Sequence, residues 1–141
     1  MTRRSFEEQL RGVPLFAGLS ADQLRRLSRI GAHAHEPAGA QLTREGERGN
    51  EFLVILEGTV DIHHGDRVVA TLEPGDFLGE IALIDERARR SATAVATSAV
   101  VIAWFDRHAF SELLAESPEF ANVIGAAVAA RAADLEGRAP E

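Results

Sequence analysis

Apolar positions along the chain follow two periods in three zones. Over the first 30 residues the spacing is helical, with Leu24, Leu27 and Ile30 at three-residue steps on one face. Ser20 followed three residues later by Gln23 is a capping-box pattern and starts that helix. The Val-Pro-Leu-Phe-Ala-Gly-Leu stretch before it holds a proline and a glycine, which predicts a short turn joining two helices. From about residue 31 to 105 the pattern becomes a series of short β-favouring runs. Phe52-Leu53-Val54-Ile55-Leu56, Arg67-Val68-Val69-Ala70-Thr71-Leu72 and Val100-Val101-Ile102-Ala103-Trp104-Phe105 are the clearest. Regular Gly, Pro and Asp punctuation separates them, including Gly46, Gly58 and Gly75, and His63-His64-Gly65-Asp66-Arg67 predicts a tight hairpin. Many short strands at this spacing predict a sandwich or barrel, and a jelly roll fits best. Helical spacing returns at 106. Asp106 is an N-cap candidate with Phe110, Leu113 and Leu114 on one face, and Ser117-Pro118 restarts a helix that Ala-rich residues carry to about 135. Residues 137–141 read as a frayed tail.

Composition narrows the function classes. At 141 residues the chain is one domain's worth, and its 45% hydrophobic and 26% charged content is that of an ordinary globular protein. A net charge of −7 makes it a poor partner for nucleic acid. Every basic residue is Arg, which points to a GC-rich, bacterial genome. The absence of Cys excludes disulfides, thiolate nucleophiles and zinc–thiolate sites. The charged N-terminus precedes no apolar core of a signal peptide, and the apolar run 123–130 is too short for a membrane span. The expected setting is cytoplasmic, without membrane contact.

Candidate chemistry concentrates in residues 77–93, F-L-G-E-I-A-L-I-D-E-R-A-R-R-S-A-T. A Gly–Glu pair opens a short apolar turn, a charged loop follows, and an arginine precedes a run of small residues. A carboxylate only accepts, which suits hydroxyls, whereas a guanidinium is a five-donor fork suited to phosphate. Residues 79–84 as a helical turn would add unpaired N–H groups for an anion. Small sugar phosphates need both groups. The loop offers two arginines, Arg89 and Arg90, and spacing alone does not choose between them. Taken alone, Asp85-Glu86-Arg87-Ala88-Arg89-Arg90 reads as a solvated loop.

Gly79-Glu80-Ile81-Ala82-Leu83 together with Arg90-Ser91-Ala92-Thr93 resembles the phosphate-binding cassette of cyclic nucleotide-binding domains. These are the sensor modules of the catabolite activator protein, cyclic-nucleotide-dependent kinases and gated channels. The resemblance runs from about 13 to 135. It implies an α+β, mainly β fold: an eight-stranded jelly-roll β-barrel (31–105) with flanking N-terminal helices (1–30) and two C-terminal helices (106–136), as a single stand-alone domain over 1–141. It further implies cAMP as ligand, with cGMP or a cyclic dinucleotide as alternatives. Arg90 and the cassette N–H groups around Ile81 and Ala82 would take the phosphate, and Glu80 the ribose hydroxyl. Gly79 would permit close approach, and Ser91 and Ala92 would line the site. Ser91 reads equally as a small residue at a strand start. Leu83 would pack on the hinge while the last helix closes as a lid. Arg131 could stack on the purine, or be a solvated arginine that favours the helix C-terminus. The output would go to an effector protein or to a homodimer through Val123, Ile124, Ala127 and Val128. No helix-turn-helix follows the long helix, so DNA is not an expected partner.

Two rival readings exist. One is a protein-interaction module of the same fold that has lost its ligand. The other is a metal-binding cupin-type protein, suggested by His33-Ala34-His35-Glu36, since residues two apart on a strand share a face. The further Glu and His of the cupin pattern are not evident, so surface histidines are the better account. No Ser or other nucleophile stands beside a His with an orienting acid, so the chain is read as a non-enzyme with no cofactor beyond its ligand.

Overall fold

The computed structural model describes residues 5–79, 87 and 89–138, with the helical backbone alone for 131–138. Three helical segments come first: α1 (Phe6–Arg11), a 3₁₀ turn (Pro14–Phe16) and α2 (Ala21–Ile30). Eight strands follow, β1 (Gly31–Glu36), β2 (Gln41–Thr43), β3 (Glu51–Glu57), β4 (Val60–His64), β5 (Arg67–Leu72), β6 (Phe77–Leu78), β7 (Thr93–Ala96) and β8 (Val100–Asp106). Then come α3 (Arg107–Glu116) and α4 (Pro118–Arg138). The final helix continues three residues past the expected end near 135, through Glu136 and Gly137 to Arg138.

Among the described residues all the strand pairing is antiparallel, in two four-stranded sheets ordered β1-β8-β3-β6 and β2-β7-β4-β5. The jelly roll is therefore a sandwich, not the closed barrel expected: among the described residues no ladder joins the two sheets, and side-chain packing holds them together. Leu53, Ile55, Val100 and Ile102 of the first sheet meet Val60, Leu72, Ala94 and Ala96 of the second. On its other face the first sheet presents Phe52, Val54, Ala103 and Phe105 to the helices, where Leu10, Phe16, Leu27, Phe110 and Phe120 complete a second core. β3 is thus covered on both faces, which is why its apolar residues run without alternation. Each fully buried Phe or Leu contributes about 1.5–3 kcal/mol of transfer free energy.

Local caps fix the helix ends. The Ser20–Gln23 capping box forms, and Asp106 accepts the Ala109 N–H at 3.2 Å. Ser117 Oγ accepts from the Phe120 N–H at 3.2 Å and also from Gln23 Nε2 at 2.7 Å. One side chain therefore serves the start of α2 and ties it to the α3–α4 junction. Arg26 and Glu116 pair between the same two helices. The turn after β4 is the expected hairpin, with His64 opposite Arg67.

The face of α4 that was expected to be available for a dimer is engaged within the chain. Phe120 and Ile124 are buried, Ala127 and Val128 pack beside them on the helical core, and Val123 lies over Gly18. The helix docks because the neighbouring α3 and the 3₁₀ turn, about 100 residues earlier in the chain, together offer it an apolar surface.

Candidate phosphate-binding site

The site is assembled where the loop between β2 and β3 crosses the chain segment leading into β7. Arg48 and Arg89 form an isolated antiparallel bridge. Beside it, the Arg90 N–H donates to the Glu47 carbonyl at 2.7 Å, and the Gly46 N–H donates to the Arg90 carbonyl at 2.9 Å. Those two backbone bonds set the register, and in extended backbone neighbouring side chains point to opposite sides. Arg89 lies on the exposed side and donates to the Gly46 carbonyl at 3.0 Å. Arg90 lies on the other, with a side chain only 10% exposed.

Inside, the Arg90 guanidinium donates from Nη2 to the Glu51 carbonyl at 3.0 Å, and lies 3.7 Å from the half-exposed Glu51 carboxylate. Two glycines form the floor beneath it. A Cβ added to Gly49 would come 2.7 Å from Arg90 Cδ and nearer still to Nε and Cζ. Gly79 has φ +87°, and a Cβ there would lie 2.5 Å from Arg90 Nη1 and 2.6 Å from the Glu51 carbonyl oxygen. What requires glycine at 79 is thus both its left-handed backbone and the arginine pressed against it. Burying a guanidinium is costly unless oxygens meet its donors. Its planar fork suits a two-oxygen anion better than a point charge would.

The sequence-expected residues are placed unequally. Gly79 and Arg90 come together. Ser91 is exposed, and its carbonyl is 3.2 Å from His64 Nδ1. The Ala92 carbonyl accepts from Thr43 Oγ1 at 3.2 Å, and Thr43 Oγ1 in turn accepts from the Ala94 N–H at 3.1 Å. Glu80, Ile81 and Ala82, with the helical turn expected over 79–84 and Leu83, lie outside the described residues. So does the side chain of Arg131. Gly49 and Glu51 were not anticipated. Their stretch reads locally as an ordinary turn before a strand, and only its pairing with residues 89 and 90 brings them under the guanidinium.

His33 and His35 share one face of β1, with ring centroids 5.0 Å apart. Among the described residues no group of three or more His, Asp or Glu side chains is placed to hold a metal ion, so the cupin ligand set is not formed. Among the same residues no helix is long and apolar enough to cross a membrane.

Comparison with known proteins identifies the family and the fold. The family model described as the cyclic nucleotide-binding domain matches residues 35–117. The cAMP-dependent protein kinase regulatory subunit of Schizosaccharomyces pombe is 34% identical over 113 residues, covering 79% of this chain and 27% of that protein. The chain therefore spans about a quarter of the length of that curated relative. The solved catabolite activator protein of Thermus thermophilus is 31% identical with a TM-score of 0.74, covering 87% of this chain and 61% of that one. The regulatory domain of Toxoplasma gondii PKA, crystallised with cAMP, is 30% identical with a TM-score of 0.66, covering 76% and 42%. The regulatory-subunit relatives are fungal, so they lend no support to the bacterial source expected from the all-arginine composition.

Proposed function

The chain belongs to the cyclic nucleotide-binding domain family, and on that premise we propose that it is a cAMP-responsive regulatory module rather than an enzyme. The observation that carries the reading is Arg90, a nearly buried guanidinium held over two glycines in the segment that leads into β7. A cyclic nucleotide brings one phosphodiester charge, one 2′-hydroxyl and a base. Arg90 takes the phosphate with parallel N–H donors, aided by the N–H groups that follow Gly79 in Ile81 and Ala82. Glu80 accepts from the ribose hydroxyl. The names of the relatives favour cAMP over cGMP, since they are regulatory subunits and domains tied to cAMP.

In this reading the response is a shift between two packings, driven only by contacts that the ligand makes differently in each. The moving part is α4 beyond its anchor at Phe120 and Ile124, with Arg131 near its far end. Because the Val123–Val128 face is occupied within the chain, the state described here suits relay to an effector protein. Dimerisation through that face would first require α4 to undock.

Thermal melting of the purified chain with cAMP, cGMP and cyclic di-GMP tests the proposal. Ligand at about 100 times its dissociation constant adds about 2.7 kcal/mol when only the folded state binds. The expected result is a concentration-dependent rise with cAMP at the lowest dose. No shift with any of the three at millimolar concentration would leave the ligand-free interaction module as the better account.

A further inference from the structure

A second polar site lies away from Arg90, on the helix-facing side of the first sheet. A cavity of about 370 Å³ opens there between the end of α1 and strands β1, β8 and β3. His33 and His35 of β1 line it together with Glu36, Gln9 of α1 and Glu57 of β3. Among the described residues none that lines it is a Lys or Arg. From the ring placement and this lining we propose that His33 and His35 chelate a divalent transition-metal ion such as Ni²⁺, Cu²⁺ or Zn²⁺.

Three observations support the assignment. The first is ring spacing. A metal about 2.1 Å from one nitrogen of each imidazole, at an angle of about 90–110°, leaves the ring centroids about 4.5–5.3 Å apart. The observed 5.0 Å lies in that interval, so rotation of the two side chains can bring a nitrogen of each to one ion without a change of strand spacing. Each imidazole ligates through one ring nitrogen and keeps the other for a hydrogen bond, and Phe6 stacks on His33 at 4.7 Å to steady the first ring. The second is an acceptor in want of a donor. Gln9 Nε2 donates to Glu57 Oε2 at 2.6 Å, which fixes the amide orientation and leaves the buried Gln9 Oε1 without a hydrogen-bond partner. Water bound to a cation in the cavity is a strong donor and could satisfy it. The third is charge, because the Glu57 carboxylate, held against Gln9 in the lining, favours a cation.

No third His, Asp or Glu among the described residues completes the set, so water fills the remaining positions and the ion exchanges readily. Imidazole nitrogen selects the borderline metals in the order Ni²⁺ < Cu²⁺ > Zn²⁺ and discriminates against the hard ions Mg²⁺ and Ca²⁺. The site is independent of the nucleotide reading, since its lining shares no residue with the Arg90 cradle.

Isothermal titration of the full chain with NiCl₂, CuCl₂ and MgCl₂, without nucleotide, tests the assignment. One Ni²⁺ and one tighter Cu²⁺ are expected at this site, with no Mg²⁺ heat. His33→Ala and His35→Ala each turn a chelate into a single-ligand site, with an expected loss of roughly 100-fold from the missing effective concentration. Circular dichroism confirms that each variant is folded. His35 supplies the cleaner arm if His33→Ala disturbs α1 through Phe6. His63→Ala and His64→Ala should leave the affinity unchanged. Absence of Ni²⁺ and Cu²⁺ binding up to millimolar concentration overturns the proposal. So does binding that survives the His35→Ala change in a folded protein, or that depends on His63 or His64.

Discussion

Replacing Gly49 with alanine separates binding from folding more cleanly than any change to Arg90 itself. The added methyl would stand 2.7 Å from Arg90 Cδ and closer to Nε and Cζ, so the guanidinium must leave its place. Overpacking a tight site usually costs about 1–3 kcal/mol. Here the crowding atoms belong to the end of a long side chain that can swing toward solvent. Gly49 has no positive φ, so alanine adds no backbone strain and gains about 0.4–1 kcal/mol by restricting the unfolded chain. Net stability should therefore fall by no more than about 1 kcal/mol. Binding should suffer far more. A hydrogen bond to a charged group contributes about 1.5–3 kcal/mol, so displacing the fork weakens cAMP by about 10- to 100-fold. Calorimetric titration and a urea melt on the same preparation measure both quantities. Gly58→Ala is the control: its φ is +85° and a Cβ there would crowd the Ala99 carbonyl and lie 2.7 Å from Ser98 Oγ, so it should lower stability and spare the affinity of the folded fraction. Native cAMP affinity in Gly49→Ala, or a collapse of its stability with binding intact, would refute the cradle.

Glu80→Gln should weaken cAMP roughly tenfold, the lower end of the worth of a hydrogen bond to a charged group, and the difference from native should vanish with 2′-deoxy-cAMP. An equal difference on the deoxy ligand, measured by the same titration, would remove Glu80 from the ribose. Phe120→Ala should cost about 3–5 kcal/mol in a denaturant melt, because the ring is fully buried and meets Phe110 edge-on at 5.6 Å. A loss below 1 kcal/mol would mean α4 is not anchored there. Hydrogen exchange with and without cAMP should show protection rising in α4 as well as in 77–93, because weakly packed segments belong to the low-stability end of a structure. Protection confined to 77–93 would leave a pocket without a switch.

The signals legible in the sequence were those carried by a few adjacent residues. The Ser20–Gln23 box, the Asp106 cap, the Ser117-Pro118 restart and the hairpin at Gly65-Asp66 each depend on local hydrogen bonds or turn chemistry, and each is present. What stayed hidden depends on pairing between distant segments. Arg89 and Arg90 are indistinguishable by spacing, yet the bonds from residues 46 and 47 turn one outward and the other inward. Gly49 gains its meaning only from that same pairing. The Val123–Val128 stripe reads in sequence as a lid face or a dimer face, because partners such as the 3₁₀ turn at Pro14–Phe16 and Gly18 lie about 100 residues earlier. Two sheets in place of a closed barrel follow from which edge strands find ladder partners, which alternation of apolar residues does not encode. The cassette motif itself was legible because a resemblance carried it, whereas composition alone suggested a solvated loop.

The most direct test of the central claim is cAMP titration by calorimetry of the native chain beside Arg90→Ala and Arg89→Ala. Removing one member of a buried charge pair costs about 3–5 kcal/mol, so Arg90→Ala should lose about 10²- to 10³-fold or more in affinity. Arg89 is exposed, and its loss should change affinity by less than about threefold. Strong binding by Arg90→Ala, or the reverse ranking of the two variants, would contradict the assignment of the phosphate to Arg90.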